Sequence, residues 1–266
     1  MPDDRSPPIH FWAPARALGV SVAITTRHGG VSTANYASLN LGLHVGDDPE
    51  RVLVNRERAA AAFGRPLDTF VFAEQVHGTT VTTVGRTDQG SGISRMADAV
   101  PSTDILVTGS VGTTLVMLVA DCVPMAVVDP DARVLAAVHA GWRGTAAGAV
   151  AAAVEALAQA GGRPERMTAF MGPAVHPSRY QVTAEVTEGL TRASAPEPLA
   201  PGVARPDGPD HWRVDLIAAN RDQLVRAGLA PVRVFDSGTT TADPDCFSDR
   251  AARPCGRFGL LARLLP

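Results

Sequence analysis

The sequence predicts an α+β fold organised as a single domain over residues 1–266. Strand-like apolar segments follow one another through the middle of the chain, and helix patterns with recognisable caps lie on both sides of them. Apolar residues make up 45% and charged residues 19%, which is ordinary for a globular protein with a buried core. One core is common at this length, although two domains are also compatible with it.

The amino-terminal region begins with a strand and a loop. Residues 19–26 alternate as a half-buried strand, and a turn-rich loop follows over 27–48. Asp48 is suited to cap a helix that begins at Pro49 and is stopped by Gly64. This segment is therefore predicted to be the first helix.

The middle of the chain is rich in strands. The loop between them, over 85–102, is polar and contains glycines, which is typical of a surface loop or lid. The strand candidates are 69–78, 79–85, 104–108, 113–120, 124–129 and 133–140. We expect the last four to form the centre of the sheet.

The last part of the chain alternates between helices and strands. An alanine-rich helix is predicted from Thr145 to Ala160, a second begins near Thr183, and a third follows the cap Asp215. Residues 195–211 are polar and proline-rich, which indicates a surface excursion. The other segments are a strand over 231–236 and a strand or short helix over 256–265.

Composition narrows the classes of partner. A formal charge of −3 favours neither nucleic acid nor an anionic membrane as a partner. All 24 basic residues are arginine, so Schiff-base chemistry on lysine is excluded. The amino terminus lacks a secretory leader pattern, no apolar run is long enough for a membrane span, and the three cysteines are few and odd in number. A cytoplasmic protein is expected.

Cys122 and His139 are predicted to meet in a hairpin over residues 119–144. A two-residue loop at Pro130 and Asp131 would place them opposite each other, with Cβ atoms about 5 Å apart. Proline disfavours the tightest hairpin turns, so the register could shift by one or two residues. With His77, the pair forms a three-donor set typical of a catalytic zinc with an open position. Ordinary core residues or a thiolate–imidazole pair remain alternatives.

Several sequence blocks occur in order along the chain, and together they resemble one family. They are HGGVS (28–32), SLNLGLHVGDD (38–48), EQVHG (74–78), ADCVP (120–124) and HAGWRG (139–144). These blocks are similar to the multicopper polyphenol oxidase (laccase-like) family, now described as purine nucleoside phosphorylases. The resemblance implies mixed β-sheets sandwiched between helices, and His77, Cys122 and His139 as zinc ligands. It also implies phosphorolysis of adenosine, inosine, guanosine and methylthioadenosine, with adenosine deamination as a companion activity.

Other residues are candidates for substrate contacts and catalysis. Arg56 interrupts the apolar stripe of the first predicted helix, and arginine suits phosphate geometry. We therefore expect Arg56 to bind phosphate, unless its guanidinium only extends to solvent from the helix edge. His44 and Asn40 are expected to contact phosphate or ribose, or else to organise their loop. Asp121 is a candidate general acid or base or a structural cap, and Gln75 is a weaker candidate for substrate binding.

The carboxyl end departs from the family pattern. Where relatives usually carry Cys-Thr, this chain has Thr239-Thr240, and a Phe-Ser-Tyr-Arg-Arg run is replaced by residues 247–251, FSDRA. Three other functions compete with a zinc phosphorylase: a copper-dependent polyphenol oxidase, a metal-independent cysteine hydrolase using Cys122 and His139, and a non-catalytic module with a structural zinc. The expected partners are purine nucleosides and phosphate.

Overall fold

A computed structural model describes residues 8–266 and confirms that helices and strands are both present. The helices in this part of the chain are α1 (Pro49–Phe63), α2 (Trp142–Ala147), α3 (Ala149–Gln159), α4 (Ala184–Ser194) and α5 (Leu216–Arg226). Its strands are β1 (Ile9–Phe11), β2 (Val20–Thr25), β3 (Phe70–Val71), β4 (Val81–Thr83), β5 (Ile105–Thr108), β6 (Thr114–Val119), β7 (Val123–Asp129), β8 (Val134–Ala140), β9 (Thr168–Met171), β10 (Gln181–Thr183), β11 (Ala204–Pro206), β12 (His211–Val214), β13 (Val234–Asp236) and β14 (Phe258–Leu264). None of the described helices is long and apolar enough to cross a membrane.

The strands form two large mixed sheets and one small sheet. The order is β1-β2-β14-β6-β3 in the first large sheet and β13-β9-β7-β8-β5-β4 in the second. Each contains parallel and antiparallel pairs, for example β3 parallel to β6 and β14 antiparallel to β6 in the first sheet. The small sheet, β10-β12-β11, is antiparallel.

The two large sheets pack face to face, with helices on their outer faces. Side chains such as Met117 and Leu135 point from the two sheets into one shared core. On the far side of the first sheet, Phe63 of α1 packs with Leu118, while α3, α4 and α5 pack on the far side of the second. The predicted fold class, mixed sheets between helices, is therefore confirmed. The single-domain span of 1–266 stays a prediction, since residues 1–7 lie outside the described part.

The first helix forms as its sequence predicts. The Asp48 side chain accepts a hydrogen bond from the Glu50 N–H at 2.9 Å, and Pro49 occupies the first turn. Gly64 ends the helix in the left-handed conformation, at φ 72°. These signals are local, so a correct prediction required no knowledge of tertiary contacts.

Several predicted elements need correction. The strand expected over 69–78 forms only at β3, and β6 lies in the first large sheet, apart from β5, β7 and β8. The single helix expected from Thr145 to Ala160 is two helices, α2 and α3, separated at Gly148, whose φ of 91° interrupts the helical path. The polar stretch over 195–211 is mostly exposed, as expected of a surface excursion, and it contains β11 and the first residue of β12. Sequence alone does not distinguish such a short exposed strand from a loop.

The β7–β8 hairpin has a longer loop than predicted. Asp129 pairs with Val134, and His139 lies opposite Pro124 instead of Cys122. The Asp129 side chain accepts hydrogen bonds from the backbone N–H groups of Asp131 and Ala132 at 2.9 and 3.1 Å. This turn needs the two extra loop residues, so the register is shifted by two residues, the alternative that the proline left open, and Cys122 and His139 do not face each other.

Candidate active site and metal centre

One cavity of about 660 Å³ is lined by most of the candidate metal-binding, catalytic and substrate-binding side chains. Its floor is formed by the ends of β6 and β8 and by the loop around His77, and its rim includes the segment that precedes β14. Its polar, charged and aromatic lining residues include His44, Gln75, His77, Asp121, Cys122, His139, Trp142, Arg143, Tyr180, Asp249, Arg250, Arg253 and Arg257.

His77, Cys122 and His139 converge at the floor of this cavity. Their nearest donor atoms all lie within 4.8 Å of one another, and the two imidazole rings meet edge to face with centroids 4.8 Å apart. Cys122 precedes β7 directly, His139 is the penultimate residue of β8, and His77 lies in the loop before β4. Although the hairpin register differs from the prediction, the three donors do come together.

A buried carboxylate, Asp104, organises two of these three residues. Its side chain accepts hydrogen bonds from His139 Nδ1 at 2.8 Å and from the backbone N–H groups of His77 and Gly78 at 3.0 and 2.6 Å. The loop turns sharply here, since His77 has a φ of 63°, which non-glycine residues rarely adopt. With Nδ1 engaged by Asp104, Nε2 of His139 is the atom available as a ligand.

Cys122 and His139 shift each other's pKa in the directions that favour their charged forms. Burial raises the pKa of Cys122, but the His139 charge and hydrogen bonds from His139 and His77 outweigh this and lower it to about 6. Burial lowers the pKa of His139, but the Cys122 charge and the Asp104 hydrogen bond outweigh this and raise it to about 9.

These residues fit a metal ion well. One thiolate and two imidazoles form a donor set suited to a borderline-soft divalent metal, and three protein ligands leave one position for substrate or water. The backbone is also shaped around the donors, because a Cβ atom on Gly141 would lie 2.7 Å from Cys122 Sγ and 3.0 Å from the His77 ring. The described residues thus provide a possible metal site, with Asp104 supporting it.

Arg56 lies outside the cavity, so the phosphate contact expected of it stays a prediction that its surroundings disfavour. Its side chain is 1% exposed. Nε and Nη2 donate to the Leu41 carbonyl, and Nη1 donates to the carbonyls of Gly92 and Ile93. The guanidinium stacks on Phe72 at 3.8 Å from the ring centroid, and burial lowers its pKa to about 9. Arg56 therefore joins two loops and has little donor capacity left for a ligand.

Asn40 is also buried outside the cavity, and the substrate contact expected of it likewise stays a prediction that its surroundings disfavour. Its Oδ1 accepts hydrogen bonds from the N–H groups of Gly42 and Arg257, and its Nδ2 donates to Asp47. The alternative interpretation, in which Asn40 organises its loop, matches this geometry.

His44 and Gln75 do line the cavity. Burial, together with the positive charge of Arg257, lowers the pKa of His44 to about 4, so its imidazole is neutral at pH 7. The Gln75 amide pairs with both the N–H and the C=O of Leu118 at 2.8 Å, much as a neighbouring strand would. Gln75 therefore extends the sheet edge beneath the cavity, and a substrate contact by it stays a prediction.

Asp121 lines the cavity with its carboxylate already engaged. It accepts hydrogen bonds from Thr241 Oγ1, Ser248 Oγ and the Arg250 N–H at 2.5, 2.7 and 2.6 Å. Its backbone has a φ of 102° and leads directly into Cys122. The geometry matches the structural role considered for Asp121, while general acid or base catalysis by it stays a prediction.

Some cavity residues were not identified from the sequence. These are Asp104 behind the donors and Trp142, Tyr180, Arg250, Arg253 and Arg257 around the cavity. Asp104 directly precedes β5, and the Ile105–Val138 pairing places it beside His139, a relation that depends on strand register. The arginines had one signal, since three of them fall within the eight residues 250–257.

Comparison with known proteins places these observations in a family. The family model for multi-copper polyphenol oxidoreductase laccase matches residues 21–264. The chain belongs to this family. The purine nucleoside phosphorylase YlmD of Geobacillus stearothermophilus is 38% identical over 243 residues, covering 88% of this chain and 86% of that protein. A purine nucleoside phosphorylase of Corynebacterium glutamicum is 39% identical over 238 residues, covering 90% and 92%.

The fold agrees with the family membership. The crystal structure of YlmD from Geobacillus stearothermophilus superposes with a TM-score of 0.89 at 37% identity, covering 93% of each chain. The resemblance inferred from the sequence blocks is therefore confirmed, and the cavity described above lies within the matched region.

Proposed function

We propose that this protein is a zinc-dependent purine nucleoside phosphorylase that also deaminates adenosine. Its substrates would be adenosine, inosine, guanosine and methylthioadenosine with phosphate. Its products would be a purine base and ribose 1-phosphate, or methylthioribose 1-phosphate when the substrate is methylthioadenosine. The observation that carries the proposal is the His77, Cys122 and His139 triad in an arginine-lined cavity. Relatives named purine nucleoside phosphorylase support it.

His77, Cys122 and His139 would hold the zinc ion. When bound there, zinc supplies a Lewis acid with an open position, which can polarise a substrate atom or activate water for deamination. Asp104 would hold His139 in the tautomer that presents Nε2, and it would fix the backbone that carries His77.

The aromatic residues of the cavity would bind the purine. Trp142 and Tyr180 offer aromatic surface on which a base can stack. Burial raises the pKa of Tyr180, so its hydroxyl is protonated at neutral pH. Within the described part of the chain this hydroxyl has no hydrogen-bond partner and is free to donate to a purine nitrogen or a ribose oxygen. Neutral His44 can accept a hydrogen bond from a ribose hydroxyl.

In phosphorolysis a phosphate oxygen forms a bond to C1′ while the bond from C1′ to the purine nitrogen breaks. The electron pair stays on the purine, which then takes up a proton. Positive groups beside the entering phosphate stabilise this arrangement, and the cavity holds both the phosphate and the sugar in place. In deamination water adds to the purine ring and ammonia leaves.

The decisive experiment separates the products of a nucleoside panel. Purified protein is incubated with each nucleoside, with and without phosphate, after chelation and after zinc is restored. We expect free base and ribose 1-phosphate only when phosphate is present, and inosine from adenosine without phosphate. Chelation should abolish inosine formation, and zinc should restore it. If neither free base nor inosine forms with saturating adenosine, zinc and phosphate, the proposal is wrong.

The same samples test the rival functions. Within residues 8–266 only one group of three or more His, Cys, Asp or Glu side chains is close enough together to hold a metal ion. A multicopper site needs several such groups, because it binds several copper ions. Stoichiometric copper with phenol oxidation would favour the oxidase. Activity that resists chelation but is lost in Cys122→Ser would favour a cysteine hydrolase.

A further inference from the structure

We infer that the segment over residues 249–257, called the arginine segment below, forms the phosphate subsite of this cavity. The inference rests on the proposed phosphorylase function and names where its second substrate binds. Arg250, Arg253 and Arg257 all line the cavity, together with Asp249 from the same segment. Arg143 is the other arginine in the lining. Arginine suits phosphate because its planar donors match the spacing of phosphate oxygens.

Hydrogen bonds from backbone N–H groups hold the arginine segment in place near both of its ends. Asp121 accepts a hydrogen bond from the Arg250 N–H at 2.6 Å, and Asn40 accepts one from the Arg257 N–H at 2.8 Å. Ser248 Oγ adds a second bond to Asp121 at 2.7 Å. Because the backbone of the segment is already held, only its side chains need to be ordered when a ligand binds.

The anchor also places the segment next to the metal donors. Asp121 and Cys122 are consecutive, so their Cα atoms are separated by only about 3.8 Å. The Arg250 backbone is bonded to the Asp121 side chain, while Cys122 contributes its thiol to the triad. A phosphate bound by the arginine segment would therefore share the cavity with a nucleoside held near the triad.

The arginine segment carries more positive than negative charge, which favours binding of an anion. Asp249 pairs with Arg253 at 2.6 Å and more loosely with Arg257 at 3.4 Å. Among the described residues Arg250 has no carboxylate partner within 4 Å, and its guanidinium lies 5.2 Å from the centre of the Tyr180 ring. Arg250 is therefore the cation most available to phosphate, and it lies beside the ring proposed to contact the nucleoside.

Arg250→Gln tests this assignment, with Arg192→Gln as the matched control. Arg250 is exposed, so the variant should fold, and Arg192 is an exposed arginine of α4 that pairs with Glu188 away from the cavity. Removing one charged hydrogen-bond partner of phosphate should raise the KM for phosphate by about 10- to 100-fold. At a fixed, subsaturating phosphate concentration, the ratio of phosphorolysis to deamination of adenosine should fall by the same factor. Arg192→Gln should keep the wild-type ratio.

Direct binding of inorganic phosphate keeps this test separate from the proposed function. Titration calorimetry should show binding to the wild-type protein and binding weakened by about 10- to 100-fold in Arg250→Gln. This difference would support the subsite even if no nucleoside were cleaved, in which case only the phosphorylase proposal would fall. An unchanged KM for phosphate, equal binding by both proteins, or no phosphate binding by the wild type would overturn the inference.

Discussion

Asp104→Asn tests whether the buried carboxylate beside His139 and His77 supports metal binding. The change keeps the size of the side chain but removes its negative charge and replaces one acceptor oxygen with an NH₂ donor. All the groups around Asp104 are donors, namely His139 Nδ1 and the N–H groups of Val76, His77 and Gly78. The new NH₂ group must therefore face at least one of them.

The size of the effect follows from this geometry. The Asp104 side chain is completely buried, so water cannot replace the lost acceptor. Its pKa lies below the ordinary value because hydrogen bonds from His139, Gly78 and His77 outweigh the opposing effect of burial. We expect zinc to bind about 10- to 100-fold more weakly, as is usual when a group supporting a metal ligand is replaced. The metal-free protein should lose about 2–4 kcal/mol of unfolding free energy.

Competition with a chromogenic chelator measures the zinc affinity, and urea denaturation of the metal-free protein measures stability. Asp129→Asn is the matched control, because Asp129 is equally buried and accepts hydrogen bonds from Asp131, Ala132 and Arg163 far along β7 from the triad. It should lose stability and keep its zinc affinity. If Asp104→Asn binds zinc as tightly as the wild type, Asp104 has only a structural role and the reasoning is refuted.

Three further substitutions test the interpretation of the site. Arg56→Met should lower the unfolding free energy by about 3 kcal/mol, because the buried carbonyl groups of Leu41 and Ile93 lose the donors that Arg56 supplies. The KM for phosphate should stay unchanged. A raised KM for phosphate with normal stability would instead place Arg56 in the phosphate site. Gly141→Ala should lower the zinc content measured by elemental analysis, because the new Cβ would lie 2.7 Å from Cys122 Sγ. Gly85→Ala, where the space around the new Cβ is open, should keep the wild-type zinc content. Cys122→Ser should lose most of about one zinc per chain, and full retention would remove Cys122 from the ligand set.

The local parts of the fold could be predicted well from the sequence. The α1 helix is specified by Asp48, Pro49 and Gly64, which act on backbone groups within a few residues of themselves. The central strands were likewise apparent as apolar segments between turn residues. The donor types at His77, Cys122 and His139 were apparent from family blocks that survive intact in this chain.

The candidate substrate contacts were harder to predict because they depend on which partners each side chain finds. Arg56 carries a charge that suits phosphate, but the fold surrounds it with backbone carbonyls that use its donors. Asp121 lies beside Cys122 in the sequence, yet its acceptors are used by Thr241, Ser248 and Arg250, which are at least 120 residues away. No local pattern reports such long-range partners.

The sequence by itself determined the class of elements, the helix caps and the kinds of atom available to a metal. Only the tertiary structure decided that Asp104 pairs with His139 and that the arginine segment lines the same cavity as the metal donors. The physical reason is register: Asp104 faces His139 because β5 pairs with β8 in one alignment, and a shift of one residue would turn it to the opposite face of the sheet. Helix caps depend on neighbours along the chain, whereas this site depends on how distant strands align.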